Sequence, residues 1–84
     1  MKVKYIGENI GIDGLFDGNV YEVVAIESEI GAIRIIDESG EDYLYSPSKP
    51  KSAAGEYKGG RFEVIEDDDK ASLARAIKGD WTNL

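Results

Sequence analysis

Hydrophobic and polar positions alternate in five short stretches of this chain, and the alternation has a period of two residues rather than the longer period of a helix. Lys2, Val3, Lys4 and Tyr5 open the first, over residues 2–6, and predict a strand with Val3 and Tyr5 on the buried face. Val20–Ile26 predicts the second strand. Ala32–Asp37 predicts a third, with Ile33 and Ile35 inward and Arg34 toward solvent. Asp42–Tyr45 and Arg61–Glu66 complete the set, the last with Phe62 and Val64 facing one way.

The segments between strands are equally informative. Gly7–Asn19 is rich in glycine and acid but carries Ile10, Ile12, Leu15 and Phe16, which predicts a long loop anchored back onto the sheet. Asp17-Gly18-Asn19 reads as a turn into the second strand, and residues 27–31 as a polar turn out of it. Asp37-Glu38-Ser39-Gly40-Glu41 predicts a tight hairpin, with Gly40 free to take the left-handed conformation. Ser46–Gly60 is irregular, with both prolines and two glycine clusters.

Asp67, Asp68 and Asp69 supply acceptors for a helix N-terminus, where the dipole also favours acids. The helix is expected over 70–78, with Leu73, Ala74 and Ile77 as its buried stripe and Gly79 as its C-cap. Trp81 then either pins the tail or hangs free. A sequence of 84 residues has room for one core. The expected layout is a β domain over 1–66, interrupted by a loop at 47–60, with a helix and tail over 67–84 on or beside it.

The run Leu15-Phe16-Asp17-Gly18-Asn19-Val20, followed after a turn by Arg34-Ile35-Ile36-Asp37, and then Tyr43-Leu44-Tyr45-Ser46-Pro47 and Phe62-Glu63-Val64-Ile65, resembles the SH3 pattern. The resemblance covers roughly residues 2–66 and implies a five-stranded SH3-like barrel with a short C-terminal α-helix added. Gly18–Val24 together with Arg34–Tyr45 is similar to small uncharacterised proteins of Gram-positive bacteria and their phages. That likeness carries no function, and against it Ser48–Gly60 looks like an insertion. An SH3 fold implies docking of proline-rich peptides on an aromatic groove. Ala32 stands where that groove has its tryptophan, and Tyr5 alone remains of the paired tyrosines of the first strand. The fold expectation rests on core positions and does not carry the ligand with it.

Composition narrows the function classes. Histidine and cysteine are absent, which removes the imidazole acid/base, disulfides and thiolate zinc sites. Ser28, Ser39, Ser46, Ser48, Ser52 and Ser72 are scattered with no histidine to activate them. Gly11, Gly14 and Gly18 lack the lysine of a phosphate loop. Asp37, Glu38, Glu41 and Asp42 bracket one hairpin and read as a solvated acidic turn rather than a calcium loop. No enzyme activity and no cofactor or metal is expected. No segment approaches the roughly 20 apolar residues of a membrane span, and the expected protein is soluble and cytoplasmic, without membrane contact.

The net charge of −7 disfavours nucleic acid as a partner. The expected role is a protein-interaction module with an unknown protein partner, as a monomer or weak homo-oligomer. Its ligand surface is expected at Phe16, Tyr43 and Tyr45, with Leu44 turned to the core, because tyrosine offers stiff contact area with a polar tip. Lys49, Lys51, Lys58 and Arg61 form a possible basic rim. The alternatives are nucleic-acid association through that rim, and a structural protein that self-associates through a sheet edge or the helix stripe.

Overall fold

The computed structural model describes residues 1–52 and 55–84; of the loop expected at 47–60, residues 53 and 54 lie outside the described residues. Five antiparallel strands, β1 (Lys2–Ile6), β2 (Val20–Glu27), β3 (Ala32–Ile36), β4 (Asp42–Tyr45) and β5 (Arg61–Glu66), precede one helix, α1 (Ser72–Lys78). The strands lie in the order β4-β3-β2-β1-β5. The sheet is not closed, and β4 and β5 are its two edges.

β2 is the hinge of this sheet. Its first residues pair with β1, Val20 opposite Lys4 and Glu22 opposite Lys2, while Val23 onward pairs with β3. The register shifts between Val23 and Ala25, and an irregularity of this kind bends a strand and sharpens its twist. β2 can therefore serve two differently oriented ladders and curl the sheet around its inner face.

The inner face is the core, and Val3, Tyr5, Ile33, Ile35 and Phe62 lie on it as the alternation predicts. Val3, Tyr5, Tyr21, Val23, Ile33, Ile35, Tyr45 and Phe62 are all buried, joined by Leu15 from the β1–β2 loop and by Leu73 and Ala76 from α1. Tyr5 and Phe62 are cross-strand partners and meet edge to face, ring centroids 5.9 Å apart, a favoured aromatic geometry. Gly60 lets the chain cross the Tyr5 ring: a Cβ there would lie 2.6 Å from the Tyr5 hydroxyl oxygen. Val64 departs from expectation. The β1–β5 register shifts between Lys2 and Val3, pairing Val3 with Val64 but Lys2 with Glu66, so Ile65 is an extra residue and the end of β5 swings outward. Val64 and Ile65 are both exposed.

The helix begins at Ser72 rather than residue 70 because Ala71 adopts a left-handed conformation (φ 55°). Its first amides are then met from upstream. Asp68 Oδ1 accepts from Ser72 N–H at 2.9 Å, and Asp67 accepts from Leu73 N–H and Ala74 N–H, each at 2.9 Å. Two of the three aspartates thus satisfy the orphan donors that every helix start leaves. The buried face is Ser72, Leu73 and Ala76, with Ile77 half-buried beside it, instead of the expected Leu73, Ala74 and Ile77. Gly79 ends the helix at φ 80°, its N–H bonded to the Ala76 carbonyl and that of Asp80 to Arg75. Trp81 and Leu84 pack against the core. Ser28 Oγ donates to the Leu84 carbonyl at 2.7 Å, so the tail is held on the β2–β3 turn. No helix among the described residues is long and apolar enough to cross a membrane.

Candidate functional site

The β3–β4 hairpin is built around one carboxylate. Asp37 N–H donates to the Glu41 carbonyl and Gly40 N–H to the Asp37 carbonyl, with Gly40 left-handed at φ 81°, the three-residue loop that glycine permits. Asp37 is 8% exposed. Its Oδ1 accepts from the Ser39 amide at 3.0 Å and from the Ser39 hydroxyl; its Oδ2 accepts from the Tyr45 hydroxyl at 2.6 Å. Burial and that carboxylate together raise the Tyr45 pKa well beyond the ordinary tyrosine value.

Tyr45 is therefore core, 3% exposed, and the expected exposed strip of Tyr43 and Tyr45 is corrected to a single exposed ring. Both lie opposite fully buried partners, Tyr45 opposite Ile33 and Tyr43 opposite Ile35, but the Tyr45 hydroxyl is turned onto buried Asp37 while Tyr43 lies two residues nearer the hairpin and bonds the exposed Glu41. Tyr43 is 48% exposed, and its hydroxyl donates to Glu41 Oε2 at 3.0 Å. Leu44, expected in the core, is half-buried on the other face opposite Arg34.

The long β1–β2 loop is fastened at both ends. Ile10 and Leu15 exchange backbone hydrogen bonds, and Gly14 sits where a Cβ would lie 2.1 Å from the Ile10 carbonyl oxygen. At its far end Tyr21 acts as a clasp. The Tyr21 hydroxyl accepts from Phe16 N–H at 2.7 Å and donates to Glu38 Oε2 at 2.6 Å, while Asn19 Nδ2 donates to the same oxygen at 2.9 Å. Glu38 N–H closes the join by donating to the Gly14 carbonyl. Burial and the Glu38 carboxylate push the Tyr21 hydroxyl up to about 12. The Tyr21 hydroxyl and Asn19 hold Glu38 below the usual carboxylate value.

With loop and hairpin joined, a groove of about 620 Å³ runs between the loop tip and β4, lined by Ile10, Gly11, Asp13, Gly14, Arg34, Asp37, Asp42, Tyr43, Leu44 and Tyr45, among others. A second hollow of about 540 Å³, lined by Val24, Ile36 and Tyr43 with the hairpin, lies beside it. Tyr43 lines both. Phe16 is half-buried next to the clasp and is absent from the residues lining either hollow, so the structure does not join it to Tyr43.

Three of the four basic residues have partners within the chain. Lys49 lies over the Tyr57 ring, 5.9 Å from its centroid. Lys58 pairs with Glu8 at 3.8 Å and Arg61 with Glu63 at 2.8 Å. Lys51 alone approaches the groove, in a smaller hollow that shares Leu44, Tyr45 and Ser52 with it. Arg34 forms no ion pair among the described residues.

The sequence reading missed Asp13 and Leu44 in the groove lining and Glu38 as the carboxylate that joins loop to hairpin. The loop's apolar anchors were the available signal for the loop side. The Glu38 clasp joins segments far apart in sequence and leaves no periodic trace. Asp37 spends its oxygens on Ser39 and Tyr45, and no group of three or more potential ligands among the described residues is placed to hold a metal ion. What the arrangement offers is contact surface: an exposed aromatic ring, apolar side chains and carboxylates. Comparison with protein-family models, curated proteins and solved structures finds no match to this chain.

Proposed function

We propose that this chain is a small cytoplasmic protein-interaction module on an SH3-like barrel, acting by binding rather than by catalysis. The barrel reading is supported by the strand order, the long fastened loop between β1 and β2, and the tight hairpin between β3 and β4. A bent β2 shared by two ladders is how such a sheet curls.

The observation that carries the binding reading is Tyr43, half-exposed on an edge strand and lining two adjacent hollows. A tyrosine in that position offers large, stiff contact area at low entropic cost. The chain has neither histidine nor cysteine, and Asp37, the buried carboxylate of the groove, is committed to the hairpin. Nucleic-acid association is the less favoured reading, because Lys49, Lys58 and Arg61 each have a partner within the chain and the net charge of −7 repels phosphate backbones.

Affinity capture from lysate with the wild-type chain, Tyr43→Ala and Tyr57→Ala tests the proposal. Tyr57 is similarly exposed but lines none of the three hollows described. The expected result is a protein retained by the wild type and by Tyr57→Ala and lost from Tyr43→Ala. Equal capture by all three, or by none, overturns it.

A further inference from the structure

We infer that the groove between the β1–β2 loop and β4 receives a cationic segment of another protein, one in which lysine or arginine stands beside apolar side chains. The inference rests on the groove being the interaction surface and names what that surface takes. Its lining joins apolar Ile10 and Leu44 to the exposed carboxylates of Asp13 and Asp42 and the buried Asp37, against one basic lining residue, Arg34, with Lys51 in the adjoining hollow. Glu41 adds a further carboxylate, fixed beside the Tyr43 ring by the tyrosine hydroxyl at 3.0 Å. A cation laid across Tyr43 meets an aromatic face and carboxylates together, two attractions that add to one another. The chain's net charge of −7 draws such a segment from a distance and sets the groove's preference before contact.

Other occupants fit worse. A second copy brings the same net negative charge of −7 and is repelled at long range. The C-terminal tail is seated on the β2–β3 turn through Ser28.

The test uses two end-capped peptides of equal length, one of Lys-Leu-Ser repeats and one of Glu-Leu-Ser repeats, added to the full chain while backbone amide resonances are followed. The lysine peptide is expected to move the amides of Gly11, Asp13, Tyr43 and Leu44 saturably, and the glutamate peptide to leave them in place. The double variant D13N/D42N, which keeps shape and removes two exposed charges, is expected to raise Kd roughly fivefold. Shifts from the lysine peptide spread equally over Glu22, Glu63 and Glu66, on other strands, would mean unspecific attraction and overturn the inference. Movement of the groove amides by the glutamate peptide would overturn the cationic assignment and leave the groove as the interaction surface. Silence at the groove with both peptides, while Tyr43-dependent capture persists, would overturn this inference alone.

Discussion

The Tyr45 hydroxyl donates to Asp37 Oδ2 at 2.6 Å across the base of the β3–β4 hairpin, with both residues buried. One bond thereby ties the last core ring of the edge strand to the carboxylate that folds the turn. Tyr43, two residues along the same strand, is left outside this arrangement.

Tyr45→Phe removes the hydroxyl and leaves a buried carboxylate oxygen without its donor, a loss of about 1–3 kcal/mol. Urea unfolding measures it. Tyr43→Phe breaks only an exposed bond to Glu41 and is expected to leave the midpoint unchanged.

Gly60→Ala places a methyl group against the Tyr5 ring, where the nearest atom would be 2.6 Å away. Tyr5 is fully buried and edge-on to Phe62, so the ring has little room to yield. A destabilisation of about 1–3 kcal/mol is expected from this overpacking, read by thermal or urea unfolding. Gly59→Ala, which meets no neighbour but holds φ 85°, carries only the left-handed backbone cost of about 1–2 kcal/mol.

Helix α1 depends on acceptors outside it. Asp67→Ala strips the partners from Leu73 N–H and Ala74 N–H and is expected to cost about 1 kcal/mol, with faster amide exchange at those two positions. Asp69→Ala, whose carboxylate caps neither amide, is expected to change neither reading.

The clasp makes stability depend on pH at both ends. Glu38 lies below its ordinary value of 4.5 in the folded chain, so the unfolded chain takes up the proton first as pH falls. The stabilisation is complete above about pH 4.5 and is lost as pH drops through the folded value, with Asp68 and Asp80, also lowered from 3.8, adding to the acid limb. Tyr21 moves the other way, from 10.0 to about 12. Its contribution is complete below pH 10 and drains away as pH rises toward 12, reinforced by the raised Tyr5 and Tyr45. Urea midpoints across pH are expected to form a plateau with two falling limbs. Glu38→Gln flattens part of the acid limb and Tyr21→Phe part of the alkaline one.

Much of the fold was legible because burial on a strand alternates. Val3 with Tyr5 and Ile33 with Ile35 announce the inner face, and Asp37 to Glu41 announces its hairpin through glycine alone. Alternation also places Tyr43 and Tyr45 on one side of β4, but it does not say which side is covered or where cover ends. Those facts belong to contacts across the hairpin, above all the bond from Tyr45 to Asp37. Val64 failed for a similar reason, since one extra residue in β5 breaks the period at its end. In α1, seven residues are too few for a stripe to be read securely, and the left-handed Ala71 moved its start. The groove was the least legible feature. Of its lining only Tyr43 and Tyr45 were foreseen as contact surface, because loop and hairpin meet through Glu38, Tyr21 and Gly14, three residues that no local pattern connects.

The claim at the centre of this account is that the two tyrosines of β4 divide the work, Tyr45 holding the hairpin and Tyr43 meeting a partner. Urea unfolding of Tyr43→Ala beside Tyr45→Ala tests it most directly. The expected result is a wild-type midpoint for Tyr43→Ala and a loss of about 3–5 kcal/mol for Tyr45→Ala, the usual cost of truncating a buried aromatic ring. Comparable destabilisation by both would make Tyr43 a core residue and contradict the division.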